Sequence, residues 1–162
     1  MTITARTWQA VEIGEELTPL ELQMTATRIV AGALASRDFM PVHHDRDYAN
    51  SQGAPDIFMN ILSTNAYCSR FLTDWAGPDA MVKRLSIRLG VPVFPKSTLR
   101  FTGAVTAKSR DDRDGLIEVE FRATNDLGDH AVGDATLSLP LAYEKGARPG
   151  RSGLTWHRRW AC

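Results

Sequence analysis

Cysteine is nearly missing from this sequence: Cys68 and Cys162 are the only two in 162 residues. Two thiols so far apart give neither a disulfide framework nor a CxxC metal or redox site. No stretch approaches the ~18 consecutive apolar residues of a membrane span. The segment MTITARTWQAVEIGEEL carries Glu12, Glu15 and Glu16 where a secretory signal would need an apolar run, so a cytoplasmic protein is expected. Net charge is absent as well, because nineteen Lys plus Arg balance nineteen Asp plus Glu. The balance is uneven along the chain. Five of the cations (Lys145, Arg148, Arg151, Arg158, Arg159) and only Glu144 among the acids fall in residues 144–162, which leaves the body mildly acidic. Such a body lacks the positive stripe of a nucleic-acid-binding face. Repeats, low-complexity blocks and interdomain linkers are lacking too.

What is present is a globular composition, 43% hydrophobic and 23% charged. The length suits one domain that buries roughly 70% of its unfolded surface. The expected organisation is a single domain over residues 1–143 and a basic extension over 144–162. Pro149, Gly150 and Gly153 deny that extension regular structure. Its Trp156 and Trp160, set among arginines, would suit an anionic partner, although a loose extension is the simpler reading.

Hydrophobic spacing divides the body in two. From Ile57 to Leu72 the apolar residues (Ile57, Phe58, Ile61, Leu62, Ala66, Cys68, Phe71, Leu72) fall mostly at helical spacing. Pro55-Asp56 reads as the start of that helix and Gly77-Pro78 as its stop. Its broad apolar face predicts an enclosed helix. Beyond Pro78 the period changes to two. Leu85, Ile87 and Leu89 alternate with charged or polar residues, as do Leu99, Phe101 and Val105, then Ile117, Val119, Phe121 and Ala123; a last extended run spans Ala131 to Leu141. Asp114-Gly115 and Asn125-Asp126-Leu127-Gly128 read as hairpin turns, and Thr27 to Leu34 as an earlier strand. The prediction is an α+β fold in which an antiparallel sheet wraps its apolar face around one long helix.

The densest polar cluster, Ser36-Arg37-Asp38-Phe39-Met40-Pro41-Val42-His43-His44-Asp45-Arg46-Asp47, precedes the helix. A carboxylate and an imidazole five positions apart across a proline-stiffened turn can face one cavity and handle one water. Spacing alone also allows Asp38 as a turn cap and His43 as a core or surface histidine.

The stretch Asp38-Phe39-Met40-Pro41-Val42-His43 resembles the D-x-N-P-[LIV]-H signature of MaoC-like, (R)-specific enoyl-CoA hydratases, which have the hotdog fold. The resemblance runs over residues 25–140, through Tyr48-Ala49, Gly53, Ile57 to Leu62, and Pro92-Val93-Phe94. Arg37-Asp38-Phe39, His43 to Asp47, Asp56-Ile57-Phe58, Asp74 to Pro78 and Leu89 to Pro92 look closer to one branch, the small MaoC-like subunits of actinobacterial steroid side-chain enoyl-CoA hydratases. The sequence departs from the general pattern at Met40 for Asn, Met59-Asn60 for His-Gly, and Lys96-Ser97 for Gly-Asp.

The resemblance implies that Asp38 and His43 add water across the C2–C3 double bond of an enoyl-CoA thioester. It implies that the backbone N–H of Asn60 meets the thioester oxygen, with its side chain narrowing the approach. Met40 and Met59 would line an apolar acyl pocket suited to a bulky, steroidal group. CoA belongs to the substrate, and no cofactor is implied. A dimer is implied, either of two copies or with a second MaoC-like chain. A hotdog thioesterase and a non-catalytic subunit completing a partner's pocket are the competing functions. The other candidates lead to blander readings. His43, His44, Asp45 and Asp47 lack the spacing of a metal site, so no metal is expected. Asp45 to Asp47 should begin a short helix, His130 should sit at a hairpin or interface, and Cys68 should pack in the core.

Overall fold

The computed structural model describes residues 5–110 and 115–142. Residues 144–162, with Trp156, Trp160 and Cys162, lie outside the described residues, as does Asp114 of the first expected turn. The element order is β1 (Leu20–Gln23), α1 (Ala26–Ala35), a 3-10 turn (Pro41–His43), α2 (Arg46–Ser51), α3 (Ile61–Ala76), β2 (Met81–Leu89), β3 (Thr98–Arg110), β4 (Gly115–Asn125) and β5 (Gly128–Leu139). The five strands form one antiparallel sheet in the order β1-β3-β4-β5-β2.

The period-two segments form the sheet as their patterns predict. On β4, Ile117, Val119, Phe121 and Ala123 are buried, and on β3 so are Leu99, Phe101 and Val105. This face closes on α3, where Phe71 meets Phe101 at 5.8 Å and Phe121 at 6.4 Å between ring centroids. Cys68, Leu72 and Trp75 extend the same buried stripe. Burying one such large side chain contributes about 1.5–3 kcal/mol, so this single stripe holds helix to sheet. The turn after Asn125 is also as expected: the Asn125 side chain accepts from the Leu127 N–H at 2.8 Å, and Gly128 supplies φ of 124°.

Two expectations change. The segment Thr27–Leu34 is part of helix α1, not a strand. Its β-branched residues suggest extension, but Thr25 caps the helix by accepting from the Arg28 N–H, and Ile29 and Ala33 bury one side at i,i+4 spacing. Gly32 then lets α1 approach α3, since a Cβ there would lie 2.4 Å from Ser63 Oγ. The long helix also starts later than Pro55-Asp56 suggests. Residues 57–60 are not helical, and Asn60 is the cap, its side chain accepting from the Ser63 N–H at 3.0 Å. Gly77 ends the helix at φ 92°, as the sequence indicates. The four-residue β1 is too short to show a periodicity in the sequence.

Candidate active site

Three local structures converge at the start of α3. The first is the end of α1. Arg37 adopts left-handed backbone at φ 57°, with its N–H on the Leu34 carbonyl, and the Asp38 N–H returns to the Ala33 carbonyl at 2.9 Å. This is a Schellman-type helix end built on an arginine in place of the usual glycine. It turns the chain sharply enough to present Asp38 beside the helix it has just left. The second is the 3-10 turn, where Pro41 sets φ for the first turn and places His43 indoors. The third is the extended stretch Ile57–Asn60, fastened by Phe58 N–H to the Val42 carbonyl and Met59 N–H to the Val93 carbonyl.

His43 is 7% exposed. Its Nδ1 lies 2.7 Å from the Phe58 carbonyl oxygen, a contact that only an Nδ1–H can satisfy. That bond fixes the tautomer and leaves the Nε2 lone pair available. Phe58 crosses the imidazole edge-on at 5.2 Å and meets Phe94 in turn, so an aromatic wall backs the ring. Nε2 faces Asp38 Oδ2 at 3.4 Å.

Asp38 is held as an anion. A hydrogen bond from the Asn60 side chain lowers its pKa most; burial opposes this, and the Met40 N–H and the nearby His43 add smaller lowering effects. Asn60 itself is buried and fully engaged. Its Nδ2 donates to Asp38 Oδ2 at 2.9 Å and to Ser36 Oγ at 2.8 Å, while its Oδ1 caps α3. The side chain therefore sits between the elements, which is more than the narrowing of an approach that the sequence suggested. Capping uses the Ser63 N–H and leaves the amides of Asn60, Ile61 and Leu62 unpaired within the helix. A developing negative charge could be met there, at the positive end of a helix of sixteen residues.

The remaining candidates separate. Met40 is half-exposed beside Asp38, whereas Met59 is buried within the core cluster. His44 is exposed, and Asp45 caps α2 by accepting from the Tyr48 N–H, as a helix-starting acid should. Cys68 is fully buried, and burial pushes its thiol up to about 12, which suits packing and not nucleophilic attack. His130 is a surprise. It is buried, bonded to the Val91 carbonyl at 2.7 Å and to Thr64 Oγ1 at 2.9 Å, and burial lowers its pKa. The two bonds join the β4–β5 hairpin, the 90–97 segment and the first turn of α3 just behind the site. A histidine after a hairpin gives no sequence signal of such long-range partners.

Comparison with known proteins bears on this geometry directly. The family model described as the MaoC like domain matches residues 9–126. The chain belongs to the MaoC-like domain family. Within it, the chain is 47% identical over 127 residues to the 3-oxo-4,17-pregnadiene-20-carboxyl-CoA hydratase beta subunit of Mycobacterium tuberculosis, covering 78% of this chain and 95% of that one. It superposes on a chain of the ChsH1-ChsH2 complex of the same organism with a TM-score of 0.75 and 47% identity, over 79% of this chain and 98% of that chain. The (R)-hydratase of A. caviae involved in PHA biosynthesis shares the fold at a TM-score of 0.72 and 24% identity, over 82% of this chain and 99% of its own. The hotdog architecture expected from the motif is thus the observed one.

Proposed function

We propose that this MaoC-like chain is a subunit of an enoyl-CoA hydratase, and that Asp38 and His43 add water across the C2–C3 double bond of its substrate. The observation that carries the reading is the 3.4 Å pairing of Asp38 Oδ2 with a tautomer-fixed His43, beside the unpaired first amides of α3. Conjugation with the thioester makes C3 electrophilic. Water held between the carboxylate and Nε2 attacks C3 while the pair takes its proton. Charge moves onto the thioester oxygen, where the Asn60 N–H would stabilise the enolate. The pair then returns the proton to C2, closing the balance as one water added and no proton gained or lost. The same groups run the reaction backwards as a dehydratase.

The relative's substrate supports a steroidal acyl group for this chain. Phe39 and Met40, which follow Asp38, and Ile61 and Leu62, which follow Asn60, are each about half-exposed. So much apolar surface beside a polar pair suits a bulky substrate and a second MaoC-like chain closing over it, as a beta subunit requires. β2 lies at the sheet margin with one side unpaired among the described strands, a natural place for that chain to join. Met40 lies at the rim of the proposed acyl pocket, and Met59 would act from the core beneath it. No helix among the described residues is long and apolar enough to cross a membrane. We propose a cytoplasmic location, which the scarcity of cysteine supports.

The test is incubation of the chain, co-produced with its partner, with crotonyl-CoA and with a steroid side-chain enoyl-CoA. Loss of the conjugated-thioester absorbance without free thiol supports hydration, and release of thiol supports a thioesterase instead. Faster turnover of the steroid substrate supports the proposed pocket. Faster turnover of crotonyl-CoA overturns the steroid assignment and leaves hydration standing.

A further inference from the structure

We propose that the Asn60 side chain is a positioning residue for the reaction, its two amide hydrogens tying Asp38 to Ser36 so that the carboxylate stays aimed at His43. The inference rests on the hydratase reading for its consequence in turnover, but the geometry is independent of it.

A helix cap needs only an acceptor, and serine or aspartate serves as well as asparagine. Asn60 offers two donors in addition, and both are used. Nδ2 is 2.9 Å from Asp38 Oδ2 and 2.8 Å from Ser36 Oγ, and the Ser36 hydroxyl donates onward to the Gly32 carbonyl at 2.8 Å. Every polar atom of a side chain only 2% exposed therefore has a partner. The oxygen that Asn60 holds is the same oxygen that faces His43 Nε2. An amide donor there fixes the plane of the carboxylate, because Oδ1 is separately approached by the Met40 N–H at 3.4 Å. The donor also disfavours protonation of the oxygen it holds. The titratable side chain facing Asp38 is His43 from the 3-10 turn, while α1 and α3 present the neutral Ser36 and Asn60.

Asn60→Ser and Asn60→Asp separate positioning from capping, since each keeps an acceptor for the Ser63 N–H and neither keeps the amide donors. The first readout is the NMR titration of the Asp38 carboxyl carbon, which does not require turnover. The midpoint should move to higher pH in Asn60→Ser and further in Asn60→Asp, where two carboxylates would share a proton. The second readout is kinetic. For Asn60→Ser, kcat should fall roughly tenfold, the scale of one hydrogen bond to a charged group, with KM little changed and the acid limb of the pH profile moved upward. An Asp38 midpoint and a kcat within about twofold of wild type in Asn60→Ser would reduce Asn60 to a cap. A wild-type protein without hydratase activity would sink the functional reading alone, and the carboxyl titration would still decide the role of Asn60.

Discussion

Nε2 of His43 and Oδ2 of Asp38 stand 3.4 Å apart, although the two residues reach that point from opposite ends of a turn. Asp38 arrives from the end of α1 through left-handed backbone, and His43 is fastened from the other side by the Phe58 carbonyl. Each group is held by a partner other than the opposite one, His43 by the Phe58 carbonyl and Asp38 by the Asn60 side chain and the Met40 N–H. The pair consequently exists before any substrate enters, which removes a cost of ordering from the reaction.

The arginine that begins this turn gives a stability prediction. Left-handed backbone costs an L-residue about 1–2 kcal/mol, and glycine avoids the clash. Arg37→Gly should therefore be neutral to about 1 kcal/mol more stable in urea unfolding. Arg37→Val should lose about 1–2 kcal/mol and also lower kcat, because a β-branched residue pushes the turn that aims Asp38. Equal stability of the two variants would show that the φ of 57° carries no strain.

His130 gives a pH prediction. Burial lowers its pKa from the ordinary 6.5, so folding favours the neutral ring. The unfolded chain binds the extra proton as pH falls below that value, and stability must fall with it. The lowered carboxylates of Asp38 and Asp56 act in a separate window, losing their contributions only below their ordinary 3.8. Between about pH 7.5 and about pH 5.5 the wild-type Tm should drop, and in His130→Gln the drop should be smaller. Parallel drops in both proteins would remove His130 as the source.

Much of this site could be read in the sequence, and the parts that could not share a cause. The period-two strands announced themselves, because a sheet with one buried face must alternate. Asp38 and His43 stood out by their signature and by a proline that stiffens the turn between them. The sequence of α1 suggests a strand because its helical signals are a cap and a two-residue buried stripe, outweighed locally by threonine, isoleucine and valine. The helix starts later than proline and aspartate, generic start signals, indicate, because Asn60 caps it by accepting from the Ser63 N–H, a role that asparagine fills in turns as readily as at a helix end. The resemblance points to the Asn60 backbone N–H, whereas its side chain, which bridges Ser36 and Asp38, has no local sequence signature. His130 escaped for the same reason, with partners 66 and 39 positions away.

The proposed reaction, with both groups on one side of the substrate, has a stereochemical consequence. Hydration in deuterium oxide should add the hydroxyl at C3 and the deuteron at C2 to the same face of the alkene. Proton coupling constants of the product distinguish this from anti addition, and an anti product would mean that a group other than this pair delivers the proton.

The half-exposed Phe39, Met40, Ile61 and Leu62 bear on assembly. Made alone, the chain should pair with itself, and light scattering should give a dimer. Co-production with a second MaoC-like chain should yield a heteromer with higher activity. A clean monomer with full activity would contradict the need for any covering chain.

The account stands or falls on the pair itself. The most direct measurement is kcat on the preferred enoyl-CoA for Asp38→Asn, His43→Ala and His44→Ala, each in the assembled protein with folding checked by circular dichroism. Asp38→Asn and His43→Ala should each lose at least about a hundredfold, the usual scale for acid–base groups, and the exposed His44 should matter much less. Near-wild-type turnover in either of the first two variants, or a larger loss at His44 than at His43, would contradict the assignment.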